Sequence, residues 1–135
     1  DSAIRSTREK LESAGLIDRI KLIAEDHAVA LKRLVAADYR NVSAITFNLG
    51  YLPGSDKSIL TRAKSTREAL YFSIQLLAPG GYLCVIVYRG HNGGDNEAQA
   101  VEDFMRKFQT RRHSVNCHEP KSSNTPPVLW VLRKV

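Results

Sequence analysis

The densest run of reactive side chains is Asn48-Leu49-Gly50-Tyr51-Leu52-Pro53-Gly54-Ser55-Asp56-Lys57-Ser58. Two glycines and a proline fix its backbone path, and an amide, a phenol, a carboxylate and an amine hang from it. A second polar run, Tyr88-Arg89-Gly90-His91-Asn92-Gly93-Gly94, adds another phenol and an imidazole, and a third, Glu25-Asp26-His27, adds two carboxylates and a second imidazole. Groups of this kind hydrogen-bond a ligand and, at a histidine, exchange a proton near neutral pH. They do not make a metal site, because no set of His, Cys and carboxylate has ligand spacing. Cys84 and Cys117 lie far apart and outside any CxxC spacing. That excludes a disulfide scaffold and a Cys-rich zinc site, and makes reduced thiols the default.

The elements that must carry these runs follow from periodicity. Ile4, Thr7, Leu11 and Ala14 recur at helical spacing over Ser2 to Ala14, and Gly15 is a natural stop. Ile20 to Ala24 reads as a short strand, Ala28 to Ala37 as a helix, and Ser43 to Leu49 as a second strand. Thr61 to Leu77 is a helix ended by Ala78-Pro79-Gly80-Gly81. Tyr82 to Tyr88 is near-continuously apolar, as expected of a central strand buried on both faces. Ala98, Val101, Met105 and Phe108 mark a fourth helix, and His113 to Cys117 and Val128 to Leu132 are late strands. Strict alternation predicts an α/β fold with a mostly parallel sheet, helices on both faces and a C-terminal antiparallel hairpin. In such sheets ligands gather at the carboxyl ends of the strands, where all three polar runs fall.

Composition bounds the rest. The 135 residues are 43% hydrophobic and 25% charged, a single globular domain spanning 1–135 and not a disordered chain. No apolar run approaches a membrane span and no basic-then-apolar leader opens the chain, so a cytoplasmic protein is expected. The net charge is +6, and residues 1–105 balance at 13 cations and 13 anions, so the whole excess lies in residues 106–135. That clustering fits either a polyanionic partner such as nucleic acid or a solvated basic face. His113 and His118 are expected at the surface.

The motifs carry a resemblance. Asn48 to Lys57 is similar to the Asn-Leu-Gly-Tyr-Leu-Pro-Gly-Gly-Asp-Lys signature of the class I S-adenosylmethionine-dependent methyltransferases labelled rRNA methylases, departing only at Ser55. That family's Pro-Gly-Gly, strand, Tyr-x-Gly-His-x-Gly-Gly pattern matches Pro79 to Gly94, its Asn-x-Pro-Pro matches Asn124 to Pro127, and its histidine after the third strand matches His27. The resemblance covers essentially the whole chain. It implies a Rossmann-like class I methyltransferase fold, S-adenosylmethionine as cofactor, and methylation of the aminomethyl nitrogen of a modified uridine at the tRNA wobble position. Methylation of rRNA or another small substrate, and a non-catalytic RNA- or partner-binding remnant, are the alternatives. It further implies that Asp1 falls just after the second strand of the family fold, so that the sheet is N-terminally truncated and lacks the opening β-α-β unit with its Gly-rich cofactor loop. A tRNA or other RNA is the expected partner, with no membrane, and a homodimer is allowed.

Site roles follow from the resemblance, each beside a plainer alternative. Asn48 orients the target nitrogen through its amide oxygen, or caps a strand. Tyr88 and His91 assist proton loss, or His91 is structural in its Gly-rich loop. Asp26 and His27 line the adenine side of the cofactor, although helix capping explains Asp26 equally well. Asn48, Leu49 and Gly50 complete the cofactor contacts. Tyr51 stacks on a base or packs, Lys57 reaches a phosphate or pairs with Asp56, and Asn124 joins the substrate side.

Overall fold

A computed structural model of the protein describes residues 2–50, 63–90, 94–121 and 125–135. Helix α1 (Ser2–Ser13) leads through a 3₁₀ turn (Ile17–Arg19) to α2 (His27–Ala36), strand β1 (Val42–Asn48), α3 (Ala63–Leu76), β2 (Leu77–Val87), α4 (Gly94–Lys107), β3 (His113–His118) and β4 (Val128–Lys134). Gly15 ends α1 as the sequence predicts. At φ +67° it lets Leu16 N–H reach Leu11 O and its own N–H reach Glu12 O, closing the last turn.

The sheet order is β1-β2-β4-β3. β1 and β2 are parallel, whereas β4 is antiparallel to both β2 and β3. Three strands therefore point one way and β4 alone is reversed, so among the described strands one ladder is parallel and two are antiparallel, a mixed sheet. The antiparallel hairpin is present, with its second strand inserted beside β2 and its first at the sheet edge.

Alternation along β2 sets the core. Leu83, Val85 and Val87 are buried and meet Leu132, Trp130 and Val128 of β4 in register. Leu70 of α3 and Val101, Phe104 and Met105 of α4 join the same core cluster. α2 packs on α3 and α3 on α4, so these helices form one layer over this face.

Two expectations need correction here. β2 is covered on one face only among the described residues: Tyr82 is 44% exposed, and Cys84 and Ile86 are half-buried. The helix layer lies on the other side of the pleat, so alternate residues escape it. Ile20 to Ala24 forms no strand; Ile20 is extended, but no described strand pairs with the segment to complete a ladder, and Ile20 is 42% exposed.

Pro79-Gly80-Gly81 proves architectural. The run lies inside β2 and not ahead of it, since the strand already begins at Leu77; Gly80 takes φ +79° there, and a Cβ on Gly81 would sit 2.9 Å from both Ala78 O and Val42 O. The close approach coincides with the register irregularity inside the β1–β2 ladder, which pairs Val42 with Leu77 but Ala44 with Tyr82, so that residues 78–81 of β2 bulge between the two pairs.

Candidate functional site

Parallel pairing brings the carboxyl ends of β1 and β2 together. Asn48 stands opposite Ile86, and Leu49 N–H donates to Ile86 O at 3.0 Å. The Asn48 side chain is exposed, while Leu49 is only 2% exposed, so its side chain belongs to the core and only its backbone faces the strand end. Gly50 follows at φ 139°, a conformation rare for other residues. Across from it, Tyr88 directly follows β2 and is 42% exposed.

Asp26 and His27 approach the same strand end from α2. Asp26 is the N-cap, accepting from Ala28 N at 2.8 Å and Val29 N at 3.4 Å. It also accepts the Ser65 hydroxyl, whose oxygen is 2.9 Å and 2.7 Å from the two carboxylate oxygens. The Ser65 bond, followed by the two backbone bonds and nearby His27, holds the Asp26 carboxyl below the usual range, against an opposing contribution from burial. His27 Nε2 lies 3.3 Å from the same Ser65 oxygen, and the His27 ring meets Phe47 of β1 edge-on at 5.7 Å. These contacts join α2, α3 and β1 at one end of the sheet. A shallow groove of about 650 Å³ opens beside them, lined by Asp26, Lys32, Lys64, Ser65 and Phe72.

The segment after Tyr88 is held by its own partners. Arg89 forms an ion pair with Glu119 and reaches Pro126 O at 3.5 Å. Gly90 N–H donates to Asp95 at 3.1 Å, and its φ is +81°. A second pocket, of about 400 Å³, lies between α4 and the β3–β4 pair, with Arg89, Glu102, Arg106, Cys117, Glu119 and Trp130 on its walls.

Of the residues singled out by sequence, Asp26, His27, Asn48, Leu49, Gly50 and Tyr88 are described and gather around the carboxyl ends of β1 and β2. Tyr51, Asp56, Lys57, His91 and Asn124 lie outside the described residues. Sequence reasoning missed Ser65, Arg89, Asp95 and Glu97. Glu97 is 3% exposed and accepts the buried Thr66 hydroxyl at 2.6 Å, joining α4 to α3. Its only sequence signal is a carboxylate one position before Ala98, on the core side of an amphipathic helix.

Three further expectations can be placed. His118 is exposed, but His113 is half-buried, edge-on to Phe108 at 5.5 Å. Burial, then Lys134 and Arg112, hold its pKa below the ordinary value. Part of the C-terminal basic excess lies away from the carboxyl ends of β1 and β2, since Arg133 of β4 stands opposite Tyr82, midway along β2. Several of its members also have internal contacts: Lys134 with Ile74 O and Leu77 O, Lys107 with the Tyr71 hydroxyl, and Arg106 with Glu102. Among the described residues no helix is long and apolar enough to cross a membrane, and no group of three His, Cys, Asp or Glu could hold a metal ion.

Comparison with known proteins agrees with this geometry. The profile of the family described as "Putative rRNA methylase" matches residues 1–133. A "putative rRNA-methylase" from Clostridium thermocellum superposes with a TM-score of 0.92 at 35% identity, covering 100% of this chain and 71% of that one. A "putative methyltransferase" from Streptococcus mutans, solved in complex with SAH, gives 0.86 at 32% identity over 100% of this chain and 72% of its own. The tRNA (mnm(5)s(2)U34)-methyltransferase, chloroplastic, of Arabidopsis thaliana is 43% identical over 70 residues, which are 52% of this chain and 26% of that protein. The sheet has the Rossmann-like arrangement of class I methyltransferases.

Proposed function

We propose, from the premise that this chain belongs to the rRNA methylase family, that it takes part in S-adenosylmethionine-dependent methylation of RNA at an amine of a modified uridine in the tRNA wobble position. The observation that carries the reading is the meeting of Asn48 and Tyr88 at adjacent parallel strand ends, with His27 brought alongside through Phe47. The relative of A. thaliana, whose own name states tRNA wobble methylation, supports the choice of substrate.

The residues present fit such a cofactor. The exposed Asn48 amide, the backbone of Leu49–Gly50 and the His27 imidazole would hold it, with Asp26 acting indirectly because its oxygens already serve the helix cap and Ser65. S-adenosylmethionine supplies an electrophilic methyl on a positively charged sulfur. The chain's own task is then alignment: the Asn48 amide oxygen accepts an N–H of the target amine and points its lone pair along the line of attack, which turns a chance encounter into a fixed approach. The amine must be neutral to react, so a proton has to leave, and Tyr88, exposed directly after β2, is the residue to which we assign that step. By sequence, His91 assists that proton loss, while Tyr51, Lys57 and Asn124 serve the substrate side.

Methylation of rRNA is the second reading, favoured by the family's description. The two part in one assay. The full chain, supplied with methyl-labelled S-adenosylmethionine, is offered tRNA carrying 5-aminomethyl-2-thiouridine, the same tRNA without the modification, and rRNA, followed by nucleoside mass spectrometry. Label on the aminomethyl nitrogen of the first tRNA alone is expected. Label in rRNA instead moves the assignment to the second reading, and label in none of the three refutes both.

A further inference from the structure

The contact of Asp26, Ser65 and His27 fixes more than the packing of α2 on α3. A serine hydroxyl has one proton, and an ionised carboxylate can only accept. The Ser65 oxygen sits 2.7 Å and 2.9 Å from the two Asp26 oxygens and 3.3 Å from His27 Nε2. If its proton pointed at His27, two electron-rich oxygens would face each other at hydrogen-bond distance with nothing between them. The proton therefore goes to Asp26, and the Ser65 oxygen meets His27 with a lone pair. His27 Nε2 must carry a hydrogen, which leaves Nδ1 as the unprotonated, accepting nitrogen of the neutral ring.

We infer that Ser65 is a positioning residue: by giving its proton to Asp26 it holds His27 with the hydrogen on Nε2, so that Nδ1 takes a hydrogen bond from a hydroxyl or amine of the adenosyl group. The ligand half of this statement rests on the proposed function; the tautomer half rests on the three side chains alone. Phe47 supports the arrangement by standing edge-on to the ring. A cofactor group that could only accept would meet a lone pair at Nδ1 and be rejected.

The test uses the full chain with 15N-labelled histidine. Long-range proton–nitrogen correlation spectra, recorded where His27 is neutral, should show Nε2 as the protonated nitrogen. Asp26→Asn is the decisive variant. Its amide oxygen can still cap α2, but its NH2 donates to Ser65, freeing the serine proton to turn toward His27, so the ring should shift toward the Nδ1–H form. Ser65→Ala removes the acceptor at Nε2 and should leave a mixture, whereas Ser65→Thr keeps the hydroxyl and should behave as the parent. Calorimetric titration with S-adenosylmethionine should weaken about fivefold in Asp26→Asn and Ser65→Ala, the size of one ordinary hydrogen bond, and be unchanged in Ser65→Thr. A parent His27 protonated at Nδ1, or a tautomer indifferent to Asp26→Asn, overturns the inference. The expected tautomers with no cofactor binding by the parent would uphold the positioning of His27 and refute the ligand assignment together with the cofactor reading it rests on.

Discussion

Lys134 separates two uses of the C-terminal charge. Its ammonium group donates to Leu77 O at 2.8 Å and Ile74 O at 3.1 Å, so it caps a carbonyl in the last turn of α3, which the helix cannot satisfy itself, and the carbonyl at the junction with β2. Lys134→Met keeps most of the aliphatic stem and removes both bonds. Hydrogen bonds to a charged group contribute about 1.5–3 kcal/mol each. Half-burial allows water to replace part of that, so a loss of about 2 kcal/mol is expected for the pair. At roughly 3 °C per kcal/mol for a domain of this size, the midpoint should fall by about 6 °C. The assay is thermal unfolding by circular dichroism, run beside Lys121→Met, which should stay within about 0.5 kcal/mol of the parent as an ordinary exposed substitution. RNA affinity is then measured against salt for each folded protein. If Lys134 serves α3, its variant loses stability and keeps the parent's salt slope. A variant that melts with the parent but shows a shallower slope would refute this reasoning and return Lys134 to the phosphate-contacting set.

Other outcomes follow from single contacts. Asp26→Ala should cost about 1 kcal/mol through loss of the α2 cap; because the folded Asp26 pKa is lowered, its contribution is present above the ordinary value of 3.8 and is lost as acid titration passes through the folded value. His113 also has a lowered folded pKa, so its contribution is complete above 6.5 and is lost as pH falls; urea midpoints between pH 7.5 and 5.5 should drop less in His113→Phe than in the parent. Gly81→Ala should destabilise by about 1–3 kcal/mol in chemical denaturation, because the added methyl meets backbone oxygens that cannot move aside without shifting the β1–β2 ladder.

The parts of the fold legible in the sequence were those written in local chemistry. Helices α2, α3 and α4 and the four paired strands follow apolar periodicity, and Gly15 stops α1 because only the left-handed conformation there completes the turn. Ile20 to Ala24 shows the limit: β-branched residues favour an extended chain, but a strand exists only where another chain offers a ladder. The candidate site was legible at Asn48, Gly50 and Tyr88 because strand ends are predictable once the sheet is. Ser65 was not, since its significance lies in Asp26 and His27, 39 and 38 positions away. Net charge was least informative. The basic excess after Met105 has one local cause in sequence and several in space, a helix C-terminus at Lys134, an aromatic ring at Lys107 and an ion pair at Arg106.

The apolar run of β2 raises a sharper question, because its composition alone treats both faces alike. Val85 is fully buried opposite Trp130, whereas Cys84 stands opposite Val131 on the face that the described helices leave uncovered. A threonine has nearly the shape of valine, so Val→Thr measures the surroundings of each position with little change of volume. At Val85 the new hydroxyl would enter the fully buried, helix-covered core, at a cost of about 1–3 kcal/mol. At Val131 the hydroxyl can meet water, so the change should stay within about 0.5 kcal/mol while reducing the apolar area shown to solvent. Denaturant midpoints check the first value. Sedimentation at rising concentration checks the second, since less apolar surface should mean less self-association. Equal destabilisation at the two positions would show that Val131 is covered as fully as Val85, and the one-sided sheet would have to be abandoned.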